Sequence, residues 1–108
     1  MTGVRIRKTK TGAYTGFRLE GHAGYADPGE DIVCAALSIL ATNTANAIDQ
    51  FTKDRITVTQ DKETGLIDCT FPETVSHDTA LLMRSFELGV SELAKQYKEI
   101  DFRTEEKG

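Results

Sequence analysis

Residues 21–40 read Gly21-His22-Ala23-Gly24-Tyr25-Ala26-Asp27-Pro28-Gly29-Glu30-Asp31-Ile32-Val33-Cys34-Ala35-Ala36-Leu37-Ser38-Ile39-Leu40, and the change of character inside this stretch sets the architecture. An alternating, strand-like segment ends at His22. A loop punctuated by Gly24, Pro28 and Gly29 follows, and a long apolar helix then opens with Cys34 in its first turns. This order puts a histidine and a cysteine at the two ends of one connection, which is the pairing that a thiol nucleophile and its base require.

Rotation by about 100° per residue predicts an apolar stripe of Ile32, Val33, Ala36, Ile39, Leu40, Ala47 and Phe51 on this helix, with Asp31, Cys34, Ser38, Ala41 and Ala45 away from its centre. Asp31 is the expected N-cap, its carboxylate accepting from first-turn N–H groups, which makes Cys34 the third helical residue. The alternative start has Asp27 as cap, Pro28 first inside and Glu30 closing a capping box, and moves Cys34 to the second turn. A helix-end dipole of about 0.3–1 kcal/mol shifts a thiol by less than about one pH unit from its ordinary value near 8.5. An efficient nucleophile therefore needs a partner, and His22 is the nearest in sequence.

Gly21-His22-Ala23, then Gly29-Glu30-Asp31-Ile32-Val33-Cys34-Ala35-Ala36, with Ser38 one turn past the cysteine, resembles the motif of the ribosomal-processing cysteine proteases called Prp. The resemblance extends in length and element order over essentially the whole chain. It implies that Cys34 is the nucleophile and His22 its base, with Gly21, Asp31 and Ser38 in supporting or substrate-binding positions. Asp31 matches a motif position, and whether it orients His22 or caps the helix stays open. The implied substrate is the N-terminal extension of a large-subunit ribosomal protein, with aromatic residues before the cut and a small residue after it. The implied assembly is a homodimer, with no cofactor.

Outward from this stretch, Val4 to Lys8 and Thr15 to Glu20 alternate in polarity around a Thr11-Gly12 turn and predict a β-hairpin. The loop Ala23 to Glu30 is eight residues long, beyond the usual two to six or so of a strand-to-helix connection, and is expected to be poorly ordered without substrate. The first helix is expected from about Asp31 to Thr52. A second hairpin pairs Arg55–Gln60 with Leu66–Phe71 across Asp61–Gly65, and Cys69 falls on its inward face with Ile67 and Phe71, as a small buried residue does. Ser76 is the expected N-cap of a second helix reaching roughly Lys98, with Leu82, Phe86, Val90, Leu93 and Tyr97 on its main stripe and Leu81 and Leu88 on the opposite side. Ile100 to Arg103 predicts a last strand and Thr104 to Gly108 a polar tail.

The sum is one α+β domain over residues 1–108, in the order ββαββαβ, with two long helices covering one face of a single sheet. Strand order stays open. At 108 residues the chain has room for a modest core and no second domain. A net charge of −4 with no long basic run argues against direct nucleic-acid binding and suits a basic peptide. No window is expected to span a membrane, and no secretory segment is evident, so the expected location is cytoplasmic. Cys34 and Cys69 are 35 residues apart, and a disulfide is not expected in a reducing compartment. A zinc site from His22, Cys34, Cys69 and His77 would lack close-spaced ligand pairs, so no metal is expected, and His77 reads as an exposed first-turn residue. The leading function is therefore a cysteine endopeptidase. Its competitor is a noncatalytic peptide-binding module of ribosome assembly, which an unreactive Cys34 would favour. A thiol redox sensor would need a resolving cysteine that is not nearby in sequence.

Overall fold

The computed structural model describes residues 2–21 and 28–106, with the side chains of 28–31 outside the description. Its elements are β1 (Thr2–Lys8), β2 (Tyr14–Glu20), α1 (Pro28–Phe51), β3 (Thr57–Asp61), β4 (Leu66–Thr70), α2 (His77–Gln96) and β5 (Ile100–Glu106). The expected order ββαββαβ is the observed one. The five strands form one mixed sheet in the order β3-β4-β2-β1-β5, antiparallel throughout except for the β1–β5 pair.

Period-two alternation sends Val4, Ile6, Phe17, Leu19, Ile67 and Cys69 into a buried layer that meets the helices. Phe17 packs on Phe86 of α2 with ring centroids 4.7 Å apart. The other face is polar and held by ions. Arg7 grips Asp68 through two hydrogen bonds of 3.0 Å and also donates to the Cys69 carbonyl and the Thr70 hydroxyl. This reach passes over Gly16, where a Cβ would lie 2.5 Å from the Arg7 guanidinium and 2.4 Å from the Cys69 carbonyl oxygen. Arg7 pairs with Gly16 and Lys8 with Tyr14, so Thr15 is the extra residue of a β-bulge.

Three expectations need correction. β5 continues to Glu106 rather than ending near Arg103, because parallel pairing with β1 as far as Lys8 supplies main-chain partners whatever the side chains are. The buried face of α1 is Val33, Leu37, Ala41, Thr44, Ala45 and Ile48, which shares only Val33 with the predicted stripe, and Ile32, Ile39 and Phe51 are 66%, 68% and 77% exposed. Apolar residues surround most of the circumference of this helix, so periodicity does not single out the face that is buried; Leu40, to the side, sits against Gly89 of α2. Lastly, Ile32–Phe51 does reach the length and hydropathy (1.3) of a membrane span, where the sequence reading expected no such window. Its alanines and outward isoleucines raise the mean, while its Val33-to-Ile48 face packs in the core.

α2 starts as expected: the Ser76 hydroxyl accepts from the Thr79 N–H at 3.3 Å. Phe86 and Val90 are buried, Leu82, Leu93 and Tyr97 pack partly buried against the core, and Leu81 and Leu88 are exposed. Asp54 braces this start by accepting from the Ser76 N–H and from the Ser76 and Thr79 hydroxyls.

Candidate active site

α1 begins at Pro28, so the expected cap at Asp31 is not observed; Asp31 lies inside the first turn and its side chain is outside the described residues. The observed start is the Pro28 of the alternative, since proline has no N–H to lose and its φ suits the first helical position, while Asp27 as its cap and the Glu30 side chain lie outside the described residues. Cys34 consequently stands in the second turn. The free amides of Gly29 and Glu30 lie about 6–7.5 Å away along the axis, from a rise of about 1.5 Å per residue. The dipole term fades within the first turn, so the helix terminus does less for this sulfur than a first-turn site would.

The sheet closes around Cys34 from the other side. Gly3 pairs with Glu20, so the next step along the hairpin sets Thr2 beside Gly21 at the end where α1 passes. A Cβ at Gly21 would lie 3.9 Å from Cys34 Sγ, and the Thr2 Oγ1 is 3.0 Å from the same sulfur. Gly65, at the tip of the β3–β4 hairpin, backs Gly21: its φ of +71° is left-handed, and a Cβ there would be 3.3 Å from Gly21 Cα. Cys34 itself is half-buried, with a free thiol.

His22 lies outside the described residues, as does the loop from 23 to 27 whose order was in question. Ser38 is half-buried one turn along from Cys34. Among the described residues the back-bond to a helix carbonyl is made by Thr44, Thr52 and Ser91, not by Ser38. Cys69 is fully buried as expected, and burial first, with the neighbouring Asp68 carboxylate second, pushes its thiol up to about 12. His77 is exposed on α2. A groove of about 730 Å³ opens at the Lys8 end of β1, bordered by Tyr14, Arg84, Glu87 and Phe102, and Cys34 does not line it. It is about 20 Å from Thr2 along the strand, at about 3.3 Å per residue.

Thr2 and Gly65 are the site neighbours that the sequence reading missed. Parity held a signal for Thr2, since it shares the inward register of Val4 and Ile6. Gly65 read only as a turn residue.

A family model described as cysteine protease Prp matches residues 1–100. The ribosomal processing cysteine protease Prp of Staphylococcus aureus is 26% identical over 99 residues, covering 92% of this chain and 93% of that protein. Among solved structures, the essential ribosomal processing protease Prp from S. aureus in complex with a substrate peptide superposes with a TM-score of 0.87 at 25% identity, covering 99% of this chain and 100% of that one. The same S. aureus protease with a covalently linked product peptide gives a TM-score of 0.82 at 26% identity, with the same coverage.

Proposed function

This chain belongs to the Prp family of cysteine proteases, and from that premise we propose that it removes the N-terminal extension of a large-subunit ribosomal protein, with Cys34 as nucleophile and His22 as its base. The observation that carries the reading is the approach of Gly21 to Cys34 Sγ. His22 is joined to Gly21 by a single peptide bond, so this approach supports a tether short enough for an imidazole to work on that sulfur.

His22 takes the thiol proton, and the thiolate attacks the scissile carbonyl carbon. The protonated imidazole then gives its proton to the departing amine, leaving an acyl-thioester that water hydrolyses with His22 again as base. Backbone N–H groups at the start of α1 are the natural oxyanion donors in this scheme, on the N-terminal side toward which a helical side chain leans. Asp31 and Ser38 are supporting positions in this scheme. The similarity to the ribosomal processing protease of S. aureus supports the ribosomal substrate, and the net charge of −4 suits a basic peptide.

The same reading places the enzyme in the cytoplasm, where ribosomal proteins are made, and makes it a homodimer through apolar residues left exposed on the helices, Ile32 and Ile39 on α1 and Leu81 and Leu88 on α2. Sedimentation as a monomer at micromolar concentration would remove the dimer.

Incubation with a synthetic peptide spanning such an extension, followed by mass spectrometry, tests the chemistry. Wild type yields two fragments, Cys34→Ala none, and His22→Ala is slower by at least about 100-fold. Cleavage surviving in the cysteine variant would remove the nucleophile assignment, and undiminished cleavage in the histidine variant would remove the base.

A further inference from the structure

We propose that Thr2 is a positioning residue for the nucleophile: its hydroxyl holds Cys34 Sγ at the end of the sheet and donates a hydrogen bond to the sulfur once the thiol has ionised. The inference rests on the assignment of Cys34 as nucleophile.

Thr2 Oγ1 and Cys34 Sγ are 3.0 Å apart, and this is the one hydrogen bond of the Thr2 side chain among the described residues. Thr2 is only 4% exposed, so water does not compete freely for the hydroxyl. Its backbone is fixed: the N–H donates to the Glu99 carbonyl at 2.9 Å, Thr2 pairs with Ile100, and the next residue pairs on both sides with Glu20 and Asp101. A β-branched side chain on a strand so held has little rotamer freedom, so the hydroxyl is aimed before any charge develops.

The direction of the bond follows from the chemistry. While the thiol is neutral, either atom can be the donor. When its proton has passed to His22 the sulfur only accepts, and the hydroxyl keeps its own proton and turns it toward the anion. A hydrogen bond to an ion is stronger than one between neutral groups, so this contact favours the thiolate. Because α1 begins at Pro28, the dipole at Cys34 is weaker than at a first-turn position, and the sheet supplies from below part of what the helix end does not.

The experiment compares wild type with Thr2→Val, which keeps the shape and loses the hydroxyl, and Thr2→Ser, which keeps the hydroxyl. Iodoacetamide alkylation of Cys34 is followed by mass spectrometry from about pH 5 to about pH 10, alongside kcat and KM for the extension peptide. Expected for Thr2→Val is an alkylation profile displaced to higher pH by about half to one unit, a rate near neutrality lower by about three- to tenfold, and the wild-type plateau at high pH. KM stays unchanged, kcat falls in step, and Thr2→Ser overlies wild type. A valine profile within about 0.2 unit of wild type overturns the proposal, and so does a serine profile displaced as far as the valine one, which would assign the effect to shape. If the valine variant fails to fold, serine against alanine makes the same comparison. Alkylation needs no peptide, so the two readings fail separately. A displaced profile in a protein that cuts nothing sinks the protease reading alone, whereas normal cleavage with an unmoved profile sinks only this one.

Discussion

Cys34 stands half-exposed on α1 with a strand hydroxyl 3.0 Å away, whereas Cys69 is sealed on the inward face of β4, where burial pushes its thiol up to about 12. Both are free cysteines on elements that pack into the same core. The difference lies in where each element is cut by the boundary of that core. β4 is an interior strand, flanked by β2 and β3, and under the helices its inward side chains meet no water. The second turn of α1 instead passes the ends of β1 and β2, so a side chain there is held by the sheet without being enclosed by it. A thiol becomes useful at such a margin, since ionisation needs partners and attack needs access.

The largest expected effect separates the two sulfurs directly. Cys34→Ala lowers peptide cleavage by more than about 1,000-fold, as loss of a nucleophile does, while Cys69→Ala leaves cleavage intact and lowers unfolding free energy by about 1 kcal/mol through the void it opens. Native-state alkylation marks Cys34 alone, and modification of Cys69 at a comparable rate would break the comparison.

Next comes the ionic lock outside Cys69. Asp68→Ala strands Arg7, whose side chain is 9% exposed, and costs about 3 kcal/mol, read as a lowered urea midpoint. Cleavage per folded molecule stays at the wild-type rate. The pH dependence has a defined sign: hydrogen bonds from Arg7 first, then its charge, hold the Asp68 carboxyl below the usual carboxylate range against the opposing effect of burial. Its contribution is therefore complete above the unfolded value near 4 and is lost as pH falls through the lower folded value. Melting temperature should drop between neutral pH and about pH 3 more in wild type than in Asp68→Asn. Equal drops would show that the pair does not carry the acid sensitivity.

The smallest effect sharpens the Cys34 side. Gly65→Ala places a Cβ at a left-handed φ and 3.3 Å from Gly21 Cα, costing about 1–2 kcal/mol. Because Gly21 borders Cys34, cleavage per folded molecule should also fall. A variant that loses stability yet cleaves at the wild-type rate would show that the β3–β4 hairpin supports the fold and not the site.

Much of this was legible in the chain. The alternation of Val4-Arg5-Ile6 and Phe17-Arg18-Leu19 announced a hairpin with one wet face, and Ser76 announced the second helix through the hydroxyl it offers to Thr79. The buried role of Cys69 followed from its parity with Ile67 and Phe71. Less legible was α1, whose apolar residues surround most of its circumference, so that periodicity alone chose Ile39 and Phe51 for the core and missed Leu37. Its start was ambiguous because Asp27 and Asp31 are both good caps in isolation.

The order of residues determined the strands and helices, their inward faces where polarity alternates, and the Gly21-to-Ser38 motif with its cysteine and histidine, because these depend on neighbours within a few positions. Only the assembled fold decided that β5 would lie parallel to β1, that α1 would bury Leu37, Ala41 and Ala45 and leave Ile39 and Phe51 exposed, and that Thr2, 32 residues before Cys34, would offer its hydroxyl to that sulfur. Such contacts join segments far apart in the chain, and the packing of a whole sheet against two helices, which no local pattern encodes, brings them together.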